Sequence, residues 1–165
     1  MTTRVGLGFD VHPFAEGRPL VLGGVVIPDA SGLAGHSDAD AVAHAVADAL
    51  LGAAGLPDLG TLFPASEDVN RDASSIGFLV EIARMLRADG WTVGNVDVVI
   101  AAETPRLAPY VSAIAAGVAA ALDAVRGASA AVAVSVKPKR GEGLGAIGRA
   151  EGIAAWAVAL LERTS

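Results

Sequence analysis

Hydrophobic positions along the chain fall into short blocks punctuated by glycine, proline and acidic residues, and the spacing inside each block changes from one to the next. Residues 4–10 (RVGLGFD) predict a short buried strand. Leu20–Leu22 and Val25–Ile27 flank Gly23-Gly24, the pattern of a tight hairpin, and Pro28 ends it. From Asp38 to about Ala54 an alanine- and leucine-rich run predicts a helix, capped by Ser37 or Asp38 and stopped by Gly52 and Gly55. A polar loop follows over 57–73. Ile76, Leu79, Ile82, Ala83 and Leu86 then recur on one helical face, predicting a helix from Ser75 to about Ala88 before Gly90.

The second half repeats the alternation. Val96–Ala102, rich in valine and isoleucine, predicts a strand, PRLAPY leads into a helix reaching about Val125, and Ala131–Val136 predicts another strand. The stretch 137–152 reads as a glycine-rich loop. Ile153–Leu161 is open between helix and strand, because alanine and leucine favour a helix while a short apolar run also suits a buried strand. Strands and helices alternating without repeats or a linker predict one layered α/β or α+β domain over residues 1–165.

Composition narrows the function classes. The chain is 53% hydrophobic, much of it alanine, so its small side chains need close neighbours, which association between subunits would supply. Leu107–Leu122 contains Pro109 and ends before Asp123, too short for the ~20 residues of a membrane span. With no cysteine and no apolar leader, a cytoplasmic protein without disulfides is expected. A formal charge of −6 argues against nucleic acid and anionic membranes as partners. Lys137, Lys139, Arg140 and Arg149 nevertheless gather in the glycine-rich stretch, where a small anion would fit.

The chemistry concentrates near the N-terminus. All three histidines, His12, His36 and His44, stand close to aspartates. Asp10 and His12, two apart, project to one side of an extended backbone, while Asp40, His44 and Asp48 follow at helical spacing. Asp10, His12 and His44 form a nitrogen and oxygen donor set suited to zinc, with a fourth position left open as in catalytic sites.

In order and spacing, GFDVHPF, HSDAD with His44 beyond it, DALLGA, DLGTLFP, GNVDVVI and the glycine-rich run ending in EGIAA resemble the 2-C-methyl-D-erythritol 2,4-cyclodiphosphate synthase family over nearly the whole chain. The resemblance implies an α+β fold, a small mixed sheet backed by helices, and a homotrimer with active sites between subunits. It favours a strand, buried toward the trimer interior, for Ile153–Leu161. It also implies conversion of 4-diphosphocytidyl-2-C-methyl-D-erythritol 2-phosphate to the cyclic diphosphate with loss of CMP. Zinc on Asp10, His12 and His44 is implied, with a second divalent ion, Mg2+ or Mn2+, near Glu142. His36 and Arg140 would act on the reacting phosphates, Ser37 would contact them, and Lys139 and Gly141 would also bind substrate. Asp58 and Gly60 would contact the methylerythritol hydroxyls, and Leu59, Phe63 and Glu67 would also bind substrate. Ala102, Glu103, Thr104, Pro105, Arg106, Leu107 and Ala108 would form the cytidine pocket, and Ala146 and Arg149 would complete the ligand shell.

The chain departs from the family pattern at defined points. Pro138-Lys139-Arg140-Gly141-Glu142 stands where Ala-Thr-Thr-Thr-Glu is usual, Ala65 replaces an aspartate, and Ser74-Ser75 stand where Asp-Ser is frequent. Ala146-Ile147 replaces a Phe-Thr pair that lines a channel on the family's threefold axis. These changes leave two alternatives beside the standard reaction: a paralogue acting on another CDP-polyol, and a non-catalytic trimer that binds nucleotide.

Overall fold

The computed structural model describes residues 1–64, 66, 73–124 and 131–164. Its centre is a five-stranded mixed sheet of β1 (Thr2–Ala15), β4 (Gly32–Leu33), β5 (Thr92–Ala101), β6 (Ala133–Lys139) and β7 (Gly152–Arg163) in the order β4-β1-β7-β5-β6. Only β5 and β6 run parallel; β7 pairs antiparallel with both β1 and β5. β2 (Leu20–Leu22) and β3 (Val25–Ile27) form the expected hairpin, with Gly23 and Gly24 at φ 58° and 76°. Those left-handed angles are what glycine supplies at lowest steric cost.

Helices cover one face of the sheet. α1 (Ala41–Ala54) lies on β1 and β7, α4 (Val111–Asp123) packs on β6, and α3 (Ser75–Ala88) contacts both helices. α2 (Leu59–Leu62) and α5 (Gly145–Gly148) are single turns. Among the described residues no helix is long and apolar enough to cross a membrane. The α+β architecture is thus as expected.

The approach of α1 to the sheet is set by glycine. A Cβ on Gly8 would lie 1.9 Å from the Ala45 carbonyl oxygen, and one on Gly6 would lie 1.9 Å from that of Ala49. Only hydrogen fits between strand and helix there. Gly6, Gly8, Asp10 and His12 share the α1 side of β1, while Val5, Leu7, Phe9 and Val11 point to the other side. Ala45 sits over Gly8, so His44, one residue earlier, is carried over Asp10, two residues later.

Several expectations need correction. The first strand is neither short nor wholly buried: it spans Thr2–Ala15, and Val5, Leu7, Phe9 and Val11 are exposed. The α1 cap is Asp40, not Ser37 or Asp38, because Asp40 accepts from Val42 and Ala43 N–H at 3.1 and 3.0 Å. Asp40 also accepts from Gly23 and Gly24 N–H at 2.8 and 2.7 Å, tying the hairpin to the helix. Burial pushes its carboxyl up to about 6, against the N–H bonds from Ala43, Gly24 and Gly23.

β5 begins at Thr92 instead of Val96, since Val93 is already buried against the core. β6 runs Ala133–Lys139 and takes in Lys137, Pro138 and Lys139 from the expected loop; Pro138 is tolerated because β6 is an edge strand. α4 ends at Asp123, and Val125, where the helix was expected to stop, lies outside the described residues.

Ile153–Leu161 lies inside β7, a strand between β1 and β5 whose ladder partners on both sides override alanine's helical propensity. Burial on both faces does not hold for the isolated chain. Ile153, Ala155, Ala157, Ala159 and Leu161 are buried, whereas Trp156 and Val158 are 38% and 42% exposed.

Candidate active site

Asp10 and His12 reach the site from one face of β1 and His44 from the first turns of α1. One carboxylate oxygen of Asp10 lies 2.8 Å from His12 Nε2 and 2.9 Å from His44 Nδ1, and the two nitrogens are 3.3 Å apart. The expected donor set therefore converges. Donors around a tetrahedral zinc with bonds of ~2.0–2.1 Å are separated by ~3.3 Å, so the triangle matches along one edge. Its other two edges are short because Asp10 draws both imidazoles to itself.

The tautomer also fits. His12 Nδ1 donates to the Ala34 carbonyl at 2.7 Å, which leaves Nε2 facing Asp10 and His44. Such outer hydrogen bonds orient metal-binding imidazoles. These residues fit a divalent cation.

Burial acts to raise the Asp10 carboxyl, but hydrogen bonds and charge from His12 and His44 outweigh it and hold the group well below the usual carboxylate range. The bond to Asp10 raises His12 above its ordinary 6.5, against its own burial. The raised His12 stabilises the cation-free fold fully below 6.5, and that contribution is lost as pH rises through its folded pKa. The depressed Asp10 contributes above 3.8 and loses this as pH falls through its folded pKa. A cation instead needs neutral imidazole, so its affinity grows as the solution becomes more alkaline. Thermal melting followed as pH is raised upward from 6.5 is expected to show this pair's stabilisation declining in chelated protein, while the shift on adding Zn2+ increases.

A cavity of about 320 Å³ opens beside the triad, lined also by Gly35, His36, Ser37, Asp48, Leu59, Gly60, Phe63 and Phe78. His36 is exposed within it, whereas Ser37 is buried, its hydroxyl 3.2 Å from His44 Nε2. Phe63 packs on Phe78 with ring centres 4.6 Å apart. Asp58 caps α2 by accepting from Thr61 N–H at 2.9 Å and does not line the cavity. Asp48 lines it and accepts from Leu59 N–H at 2.8 Å; burial raises its carboxyl despite that bond. The expected polar stripe is split, since His44 and Asp48 face the cavity and Asp40 faces the hairpin. Glu67 and Ala65 lie outside the described residues.

A second cleft, about 190 Å³, gathers Ala102, Glu103, Pro105, Arg106, Leu107, Ala108, Pro138, Lys139 and Arg140. Six of these are the expected cytidine-pocket residues; Pro138, Lys139 and Arg140 join them, and Thr104 instead lines a neighbouring cavity with Phe14 and Asp29. Arg140 pairs with Glu103, whose other oxygen accepts from Gly141 N–H at 3.0 Å. Arg140 thereby holds the Glu103 carboxyl below its usual range. Glu142 stands outside the Asp-His-His cluster, and Ala146 and Arg149 line neither cavity, Arg149 pairing with Glu151 at 2.6 Å.

Sequence reasoning missed Arg18, Asp38, Ser75 and Phe78. Arg18 holds the 35–37 loop through the carbonyls of Gly35 and Ser37, an attachment between distant segments that no local spacing announces.

An Asp-His-His cluster over a cavity, together with a separate cleft at a sheet edge, defines the class as an α+β protein with a metal-capable, enzyme-like site. Family comparison gives the particular assignment: the YgbB family model matches residues 3–162, and the chain belongs to that family. It is 55% identical over 163 residues to the 2-C-methyl-D-erythritol 2,4-cyclodiphosphate synthase of Rubrobacter xylanophilus, covering 97% of this chain and 95% of the relative. It is 50% identical over 162 residues to the enzyme of that name from Bordetella petrii, covering 98% and 97%. Among solved structures, a Plasmodium falciparum IspF in complex with CDP superposes with a TM-score of 0.81 at 31% identity, covering 99% of this chain and 97% of that one. A CDP-bound 2C-methyl-D-erythritol-2,4-cyclodiphosphate synthase superposes with a TM-score of 0.84 at 34% identity, covering 96% and 100%.

Proposed function

We propose that this protein is a single-domain lyase of non-mevalonate isoprenoid precursor synthesis, converting 4-diphosphocytidyl-2-C-methyl-D-erythritol 2-phosphate to 2-C-methyl-D-erythritol 2,4-cyclodiphosphate and CMP. The observation that carries it is the convergence of Asp10, His12 and His44 at a cavity in a chain of this family. An oxygen of the 2-phosphate attacks the β-phosphorus. The bond from that phosphorus to the bridging oxygen breaks, and CMP departs with the oxygen and its electron pair. No covalent enzyme intermediate is needed.

Asp10, His12 and His44 would hold zinc, chosen by their nitrogen and oxygen donors, and Glu142 would contribute to a Mg2+ or Mn2+ site. Such cations, when bound, supply Lewis acidity to phosphoryl oxygens. The chain's own residues bind and orient the substrate. His36 faces the triad cavity and would donate to phosphate oxygens carrying the developing charge. The backbone of 102–108 would read the cytosine, and Lys139 would neutralise phosphate at the second cleft. Arg140 would join it on releasing Glu103. The charge of −6 favours such a small anionic ligand, held at local cations, over nucleic acid, and a cytoplasmic location is proposed with it.

The working form would be a homotrimer with active sites between subunits. Its support is the open sheet face, where Leu7 is 67% exposed, Val5 64%, Val11 49% and Phe9 48%, continuous with Trp156 and Val158 across the β1–β7 ladder. Apolar surface so concentrated marks an interface. Leu7→Glu is expected to reduce the mass measured by light scattering from three 16.4-kDa chains to one and to abolish turnover. An unchanged mass would remove this reading of the face.

Phosphorus NMR of protein incubated with the substrate, zinc and magnesium tests the activity. Appearance of CMP and cyclic product together supports it. CMP from a different CDP-polyol alone would transfer the assignment to a paralogous reaction, and nucleotide binding without turnover would make the chain a binding protein.

A further inference from the structure

We infer that Asp38 and Ser75 form a positioning relay that fixes the tautomer and orientation of His44, an inference that rests on the metal-binding reading of Asp10, His12 and His44. Ser75, the first residue of α3, is 1% exposed, and its hydroxyl oxygen lies 2.9 Å from His44 Nε2. Asp38 grips this serine twice: Oδ1 accepts its hydroxyl, and Oδ2 accepts its backbone N–H at 3.0 Å. Asp38 N–H in turn donates to the Ala73 carbonyl at 3.2 Å, so the segment before α1 is fastened to the start of α3 by three bonds.

Proton counting gives the relay a direction. A serine hydroxyl has one proton to donate, and an ionised carboxylate can only accept, so the Ser75 proton goes to Asp38. The lone pairs of Ser75 Oγ then face His44 Nε2, which must carry a proton to complete the bond. In the cation-bound protein that leaves Nδ1 as the nitrogen free of a proton, aimed toward the Asp10 oxygen that lies 2.9 Å from it here. Ser37 supports the arrangement at 3.2 Å from the same Nε2, and its oxygen is held by Ala39 N–H at 3.2 Å. His12 reaches the same end by another route, through the Ala34 carbonyl.

The chain thus locks each imidazole from behind, one with backbone and one with a buried serine and its aspartate. Outer partners of this kind are worth about ten- to a hundredfold in cation affinity. Ser75 and Asp38 touch neither the proposed cation nor the reacting atoms; their influence passes through His44.

Two measurements on the full-length protein test the relay. Long-range proton–nitrogen NMR of the zinc-loaded wild type should show His44 ligated through Nδ1 with hydrogen on Nε2; ligation through Nε2 overturns the inference. Zinc affinity, measured by competition with a chromophoric chelator, should fall about ten- to a hundredfold in Ser75→Ala. Asp38→Ala should fall similarly, and the double variant little further, because one relay is broken once. Losses that multiply, or an unchanged affinity in Ser75→Ala, reject it. Wild type that takes up no zinc would instead remove the metal reading beneath it.

Discussion

Replacing Asp10 by alanine is expected to lower CMP release by about a thousandfold or more, because losing the proposed cation would forfeit several kcal/mol of charge stabilisation in the transition state. The same one of its two oxygens touches both imidazoles, so its removal takes away a candidate ligand and the anion that draws the other two together. The variant should still fold, since Asp10 lies at the mouth of a cavity and not in the apolar core. If the triad holds zinc as proposed, wild-type protein at a zinc concentration of 100 times its Kd should gain about 2.7 kcal/mol of stability, and Asp10→Ala should show almost none of that thermal shift. Turnover within tenfold of wild type would show that the triad is not where the reaction is assisted.

Gly8→Ala is expected, with Gly6→Ala, to be among the most destabilising single-methyl changes at the described glycines. The added Cβ would meet the Ala45 carbonyl oxygen at 1.9 Å and the Ala49 nitrogen at 2.6 Å, both backbone atoms of α1 that no rotamer change can move. Reaching the 3.0 Å that Cβ contacts require would displace the helix by about 1 Å. Overpacking of this kind costs about 1–3 kcal/mol, and the upper end applies because a whole helix must shift. At ~2–4 °C per kcal/mol for a chain of this size, Tm falls by roughly 6–12 °C.

The same shift would lift His44 from Asp10, so affinity for the proposed zinc should fall along with stability. Gly52→Ala is the contrasting control: it lies on α1 with nothing within 4 Å of its added Cβ, and its Tm should rise by a few degrees through helix propensity. Equal melting of wild type and Gly8→Ala by calorimetry would contradict the close strand–helix approach.

The triad was legible before any fold, because three histidines beside aspartates in 44 residues, with a two-residue spacing in a strand, restrict the chemistry those side chains can do together. The family resemblance covered the cleft as well, and all but one of the expected cytidine-pocket positions line it. Asp58 and Ser37 were legible only as residue types. Asp58 is spent on the α2 cap and Ser37 turns inward to His44, outcomes set by which N–H or imidazole each meets in space. Arg140, expected at phosphate, holds Glu103, a partner 37 residues away.

By itself the sequence determined the periodicities that make the hairpin, α1, α3 and most of β5, together with the donor types at residues 10, 12 and 44. Those are local consequences of backbone geometry and side-chain chemistry. Only the tertiary structure decided that Asp40 caps α1 and ties down the hairpin, that Ser75 reaches His44, and that β7 is a strand with one apolar face open. Each of these depends on which distant backbone or side chain arrives to complete a hydrogen bond or cover a surface. Two glycines under one helix set that arrival, by letting α1 settle onto β1 until His44 stands over Asp10.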